Sequence, residues 1–328
     1  MDIADKVAKS VCVVIVNYNG GATLTECVRA LLASTVKVGI IVSDNGSQDT
    51  SIAYLRASVT DAPQLLIVEN GENLGFAKAN NVALARCRND YALVLNPDCI
   101  VEPDALERMI EVMEQHPEAG MGTCLIVNPD GSEQAGCRRM VPTPWRSMVR
   151  VLHLHRIIRN HPRFRSFTMA DLPLPRAPEP VEAISGAFMF ARREALETVG
   201  LMDDNYFLHC EDLDWCMRFR QAGWKILFVP QVRVMHWKGL STKANPLRCE
   251  YHKHCGMVRF YKKFFRHQYP GALMVLVVMA VWLRFFAKTG WMMVRKLFRT
   301  RHSGRGATPY PGQQAQGGPG EKRVVTGA

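Results

Sequence analysis

Glu211, Asp212 and Asp214 place three acids within four residues, and Asp98 ends the tripeptide Asn96-Pro97-Asp98 after the apolar run Ala92–Leu95. These are the side chains of the 328-residue sequence best suited to chemistry. A carboxylate held by a proline turn at a strand end suits a divalent ion bridging two phosphates, and its hard oxygen favours Mg²⁺ or Mn²⁺. Taken alone, Asp98 can equally cap a helix beginning near Pro103. The Glu211–Asp214 cluster opens an amphipathic stretch, where acids complement the helix dipole without any catalysis. A catalytic reading requires one of them to face a pocket. Other polar turns are Asn17-Tyr18-Asn19 and Asp44-Asn45-Gly46-Ser47-x-Asp49. A glycine turn at Gly75 opens a helix and sets Lys78 near an N-terminus able to meet a phosphate. His236 ends the apolar VRVMHW, where a lone histidine is more often structural than a ligand.

The elements that must position these residues are legible from hydrophobic period. Val11–Val16, Val38–Val42, Leu65–Val68 and Tyr91–Leu95 read as buried strands, each followed by polar residues and then a helical pattern. The predicted helices are Thr23–Ala33, Ser51–Ala57, Ala77–Cys87 and Pro103–His116. Four such alternations predict an α/β fold with a doubly wound, mostly parallel sheet, whose ligands bind beyond the carboxyl ends of the strands. Further on, Ala183–Ala191, a helix at Glu194–Val199, a helix at Glu211–Ala222, and strands Lys225–Val229 and Val232–His236 resume the pattern.

In their order and spacing, Val13–Asn19, Asp44–Asp49, Asn73–Asn81, Asn96–Asp98, Ser185–Ala187, Glu211–Arg218 and His236 resemble the GT-A glycosyltransferases of inverting family 2, over roughly Val11 to Lys238. "NLGFA…NN", "LVLNPD" and "EDLDWCMR" look most like bacterial rhamnosyltransferases of cell-surface polysaccharide synthesis. The resemblance implies a GT-A domain over 1–242, with a nucleotide-sugar half (11–120) and an acceptor half (121–242). It implies that Asn17, Tyr18 and Asp44 line the nucleoside pocket, with Asn45, Gly75 and Lys78 also on the donor side. The family's Asp-x-Asp metal motif falls on Asn96-Pro97-Asp98, with Asn96 in place of the first acid, and His236 matches a further metal ligand. Asp212 matches the general base, and Glu211 would hold an acceptor hydroxyl or orient that base. Implied partners are a nucleotide-sugar donor, best dTDP-rhamnose, and a glycan or polyprenyl-linked acceptor. Galactofuranosyl or hexosyl transfer from a UDP-sugar is the alternative.

Charge is unevenly spread. From Lys243 onward 16 Lys and Arg face two acids, Glu250 and Glu321, a net of +14, whereas the rest carries 25 against 28, a net of −3. The tail therefore predicts an anionic surface as partner. Within it, Gly271–Leu283 is apolar but shorter than the roughly 20 residues that span a bilayer. Flanked by Arg284, Lys288 and several aromatics, it reads as an interfacial or re-entrant anchor, with a buried core helix as the alternative, in a helical, membrane-associating appendage over 243–302, with 303–328 disordered. The expected location is the cytoplasmic face of the cell membrane. A basic nucleic-acid-binding protein is the non-enzyme alternative. The arginines of 138–165 suggest it, but no nucleic-acid-binding pattern accompanies them, so nucleic acid is not expected as a partner. Ten cysteines without a CxxC pair read as free thiols. Cys249-x-x-His252-x-His254-Cys255 matches no common zinc spacing.

Overall fold

The computed structural model describes residues 9–158, 161–237 and 245–300, with side chains described up to 295. The strands are β1 (Val11–Asn17), β2 (Val38–Asp44), β3 (Leu65–Glu69), β4 (Tyr91–Leu95), β5 (Cys99–Val101), β6 (Ala119–Val127), β7 (Arg138–Arg139), β8 (Glu179–Pro180), β9 (Ala183–Ile184), β10 (Phe188–Arg192) and β11 (Lys225–His236). The helices are α1 (Thr23–Leu32), α2 (Ser51–Ser58), α3 (Phe76–Leu84), α4 (Ala105–Gln115), α5 (Pro144–Val151), α6 (Leu154–Ile157), α7 (Arg193–Val199), α8 (Glu211–Gln221), α9 (Pro246–Phe265) and α10 (Gly271–Thr300). The disordered tail expected over 303–328 lies outside the described residues.

Nine strands form one sheet in the order β3-β2-β1-β4-β10-β6-β11-β5, with β8 beside β11. β1 is buried along its whole length, as its unbroken VCVVIV run requires of a strand covered on both faces. Pairing is parallel from β3 to β4, antiparallel on both sides of β10, and parallel again between β6 and β11. Two reversals restore the original direction, so the ends of β4 and β11 and the start of β10 share one rim. The two strands expected over Lys225–His236 are one strand with a register shift between Val229 and Arg233. Asp98 is not a helix cap. It sits in the turn between β4 and β5, where its carbonyl accepts from Trp237 N, and α4 begins only at Ala105.

Four features depart from the sequence reading. Cys12 and Cys87 are joined in a disulfide, where free thiols were expected; their Cα atoms lie 5.7 Å apart, within bridging range. Asp214, grouped in sequence with Glu211 and Asp212 as an acid complementing the helix dipole, makes specific buried ion pairs instead. It is fully buried, bonded to Arg218 at 2.8 Å and to Lys263 of α9 at 2.6 Å. α9 is part of the main body rather than of an appendage, with Phe260, Tyr261 and Phe265 in the main core. The apolar run at 271 belongs to a helix long and apolar enough to cross a membrane by length and composition, Gly271–Arg295 (25 residues, mean hydropathy 1.8). The chain forms two compact units, Met1–Phe285 and Phe286–Ala328.

Candidate active site

A cleft of about 1720 Å³ opens at the shared rim of the sheet. It is larger than the roughly 300–1,000 Å³ typical of a single small-molecule site. Tyr18, Asn45, Gly75, Asn96 and Asp98 line one part, and Glu211, Asp212 and His236 also face it.

The first cluster is built by β11 pairing with β5, which sets His236 opposite Cys99, one residue beyond Asp98. Asp98 Oδ1 lies 3.0 Å from His236 Nε2, and both residues are buried. Gln134 Nε2 is spent on the Asn128 side-chain oxygen and the His236 carbonyl, both acceptors. Its Oε1 therefore faces His236 Nδ1 at 2.7 Å and fixes a hydrogen there. Nε2 is left facing the Asp98 carboxylate and Asn96 Nδ2, at 3.2 Å from the latter. His236 Nε2 and the Asp98 carboxylate thus offer two adjacent ligand atoms. The donor set suits a cation held by one oxygen and one imidazole nitrogen, with the remaining positions open to the cleft. The Cys99 thiol also lies close. Burial raises its pKa well above the ordinary range, and it donates to Ala187 O at 3.6 Å.

The second cluster stands at the start of α8. Asp212 is ion-paired with Arg139 of β7, accepts from Gly186 N at 3.2 Å, and accepts from its neighbour Leu213 N at 2.7 Å. A carboxylate offers about four lone-pair positions, so three are occupied and roughly one remains for a substrate. Glu211 is nearly fully buried, and its Oε2 has no hydrogen-bond partner. Burial, with the charge of Asp212 adding, pushes the Glu211 carboxyl up to about 8. Both acids follow two consecutive non-glycine residues in left-handed conformation, His209 (φ 70°) and Cys210 (φ 72°). Burial, with Lys253 nearby, pulls the His209 imidazole down to about 4.

This strained loop is held from two sides. Asn81 exchanges two hydrogen bonds with Met202, and Phe76 N donates to Phe207 O at 2.7 Å. Gly75 (φ +85°) permits that approach, since a Cβ there would meet Phe207 O at 2.5 Å. Gly256 of α9 is equally constrained, because its Cβ would lie 2.6 Å from His209 O.

The structure divides the expected donor-side residues. Tyr18, Asn45, Gly75, Asn96 and Asp98 line the cleft, whereas Asn17, Asp44 and Lys78 do not. Asn17 has no exposed surface and gives its amide to Asp44, Ser47 and Ser51. Asp44 is buried in the same network, and Lys78 points to solvent. Asn45 bonds Asn73, Leu74 N and the Gly75 carbonyl, so it shapes the turn as well as lining the cleft. Gln134 and Arg139 were missed. Gln134 lies in an aperiodic polar loop without a distinguishing signal, and Arg139 was absorbed into a basic segment read by its charge alone. The possible zinc ligands do not converge: His252 stacks on Phe207, while His254 Nδ1 meets the Glu250 carbonyl.

The sequence profile described as "Glycosyl transferase family 2" matches residues 12–200. Among curated proteins, the chain is 30% identical over 248 residues to an N-acetylglucosaminyl-diphospho-decaprenol L-rhamnosyltransferase of Mycobacterium tuberculosis, covering 71% of this chain and 78% of that protein. It is 26% identical over 244 residues to the rhamnosyltransferase WbbL of Escherichia coli K12, covering 69% and 83% respectively. Among solved structures, the mannosyltransferase PcManGT of Pyrobaculum calidifontis, in complex with GDP-Man and Mn²⁺, aligns with a TM-score of 0.55 at 16% identity, over 92% of this chain and 77% of that one. At that identity the likeness concerns the fold.

The raised Glu211 pKa has a thermodynamic consequence. Below the ordinary carboxylate range, folded and unfolded chains both hold the proton. As pH rises towards about 8, only the folded chain keeps it, so stability falls across that window and levels off above it. Glu211→Gln should shrink the drop in Tm between about pH 5 and about pH 9. A drop as large as in the wild type, measured by thermal denaturation, counts against the assignment.

Proposed function

The chain belongs to glycosyl transferase family 2, and from that premise we propose that it transfers rhamnose from dTDP-rhamnose, with inversion, to a hydroxyl of a polyprenyl-diphosphate-linked sugar acceptor. One observation carries the reading: the Asp98–His236 pair and the Glu211–Asp212 pair open into the same cleft. The donor's nature rests on the two rhamnosyltransferase relatives, and the acceptor's on the mycobacterial one, whose name specifies a decaprenol-linked substrate.

Asp98 and His236 would hold Mg²⁺ or Mn²⁺, which when bound neutralises charge building on the departing diphosphate. Gln134 orients the imidazole for that task. Asp212 takes the proton from the acceptor hydroxyl. That oxygen attacks the anomeric carbon while the carbon–oxygen bond to the diphosphate breaks, and a single displacement inverts the centre. Arg139 and Gly186 N fix the base by hydrogen bonding, leaving a position for the substrate. Burial and the charge of Asp212 favour the protonated form of Glu211, which suits it to donate a hydrogen bond to the acceptor.

We assign attachment to the anionic inner leaflet to α10. Val275, Met279 and Leu283 recur at helical spacing and are 59%, 61% and 72% exposed, an apolar stripe without protein cover among the described residues. Basic residues near such a surface add on the order of 1 kcal/mol each.

The purified protein with Mn²⁺ or Mg²⁺, tested on a panel of nucleotide sugars, should turn over dTDP-rhamnose and lose activity with EDTA or in Asp98→Ala. Strong turnover of a UDP-hexose with none of dTDP-rhamnose would overturn the donor, and full activity in EDTA would overturn the metal. Asp212→Asn should lower turnover by a factor of about 10² to 10⁴ with donor affinity nearly unchanged, and Glu211→Gln should be milder. Collapse in Glu211→Gln beside near-normal Asp212→Asn would exchange their roles. Met279→Glu combined with Leu283→Glu should reduce co-sedimentation with anionic vesicles, and unaltered sedimentation would refute attachment through this face.

A further inference from the structure

The arginine-rich segment after β7 has no part in the chemistry proposed above. Residues 140–170 hold six arginines and no acid, within a body (1–242) whose net charge is −3. One side of α5 is fixed. Thr143 caps the helix by accepting from Arg146 N at 3.1 Å, Val149 is fully buried, and Ser147 bonds the Tyr261 hydroxyl of α9 at 2.7 Å. Arg150 Nη1 donates to Ser166 and Thr168, both at 2.7 Å, and Trp145 Nε1 donates to Arg163 O at 2.8 Å. These bonds hold the chain after α6 against α5, so both stretches belong to one built surface.

The outer side of that surface is apolar. Trp145, Met148 and Leu152 recur at helical spacing, one stripe of α5 continued into its cap, and all three are exposed. Val151 and Ile157 are exposed as well, and the largest exposures are 56% at Leu152 and 75% at Ile157. Arg156, Arg163 and Arg165 of the same segment also face solvent. Arg146 is committed elsewhere, since Glu182 holds its guanidinium at 2.6 Å. The surface thus asks for two things at once, hydrocarbon for its aliphatic side chains and negative charge for its guanidiniums.

We propose that the α5–α6 surface is a second membrane contact, seated at the headgroup level of an anionic bilayer. Its apolar stripe enters the acyl boundary, and its exposed arginines stay among the lipid phosphates with their stems along the hydrocarbon. The inference stands on residues other than those of α10 and does not rest on the transferase reading. Charge complementarity selects an anionic partner, and side-chain type selects lipid over nucleic acid. A nucleic-acid strand stacks its bases on aromatic rings, and Trp145 is the one exposed aromatic among the described residues of 140–170. Met148, Val151, Leu152 and Ile157 gain nothing from a phosphate backbone, whereas a bilayer removes them from water.

The test uses the full-length protein carrying Met279→Glu and Leu283→Glu, which weaken the α10 stripe and leave this surface intact. Co-sedimentation is measured with phosphatidylcholine vesicles and with vesicles containing phosphatidylglycerol. This background should retain binding to the phosphatidylglycerol vesicles that falls as salt is added. Adding Leu152→Glu and Ile157→Glu should weaken that binding at least about tenfold, as expected when two aliphatic side chains lose their burial. Arg156→Gln, Arg163→Gln and Arg165→Gln together should weaken it by about tenfold or more, whereas Lys at the same three positions should retain most of it. Thermal denaturation of each variant separates lost binding from lost folding, and Leu152→Ser with Ile157→Ser replaces the Glu pair if that pair lowers Tm. Absence of residual binding in the background, or residual binding that neither set of changes alters, overturns the surface. So does a single-stranded oligonucleotide whose binding is lost with the arginine changes while vesicle binding stays the same, which would assign the segment to nucleic acid. A background that sediments like wild type would count against attachment through α10 alone, because the added changes still report on this surface.

Discussion

β10 runs against both of its neighbours, and the site depends on that reversal. Because Phe188 pairs with Leu95, the start of β10 lies beside the end of β4. The loop before it, Ser185-Gly186-Ala187, therefore borders the turn that carries Asp98, and Ala187 O accepts from Asn96 N at 3.0 Å. Gly186 N then reaches Asp212. The second reversal, between β10 and β6, returns β11 to the direction of β4 and delivers His236 to the same rim. Had β10 run parallel, its leading loop would open on the opposite rim and the two acid clusters would have no common wall.

Strand–helix alternation was legible because period two and period 3.6 leave different marks in short apolar runs. Which polar residue at a strand end touches a ligand was not. Loops beyond a buried sheet carry many backbone donors and acceptors that must be satisfied, and asparagine meets them with both a donor and an acceptor. Asn45 and Asn81 do so, fixing respectively the Asn73–Gly75 turn and the loop at Met202, while Asn17 gives its amide to the side chains of Asp44, Ser47 and Ser51. In sequence they look the same as ligand-binding residues, since polarity at a strand end is common to both tasks. Arg139 and Gln134 were hidden for the opposite reason. Each acts across a long separation, 73 and 102 residues respectively, which no local pattern encodes.

The three acids opening α8 illustrate how burial separates residues that sequence treats alike. Complementing the helix dipole assigns them one role, yet each meets a different environment. Glu211 is enclosed without a partner for Oε2, Asp212 faces Arg139, and Asp214 is locked between Arg218 and Lys263. Neighbouring carboxyls with such different surroundings can divide acid and base work between them. The left-handed residues His209 and Cys210 aim the helix start, at a cost of about 1–3 kcal/mol each. Contacts from α3 and α9 offset that cost, so the Gly75 turn and Gly256 help hold the loop that carries the acids.

The apolar run in α10 was measured too short because Arg284 interrupts it in sequence. On a helix the interruption is confined to one side. Arg284, Lys288 and Arg295, at spacings of four and eleven residues, fall on one stripe, so the remaining circumference stays apolar past the first charge. A linear count weighs every residue equally, whereas a helix presents its residues to different neighbours. Within Gly271–Phe285 one side faces the cleft and another is exposed, and both are apolar. A buried core helix would expose neither. Being apolar on both sides is what keeps the helix long and apolar enough to cross a membrane by length and composition despite its charged stripe.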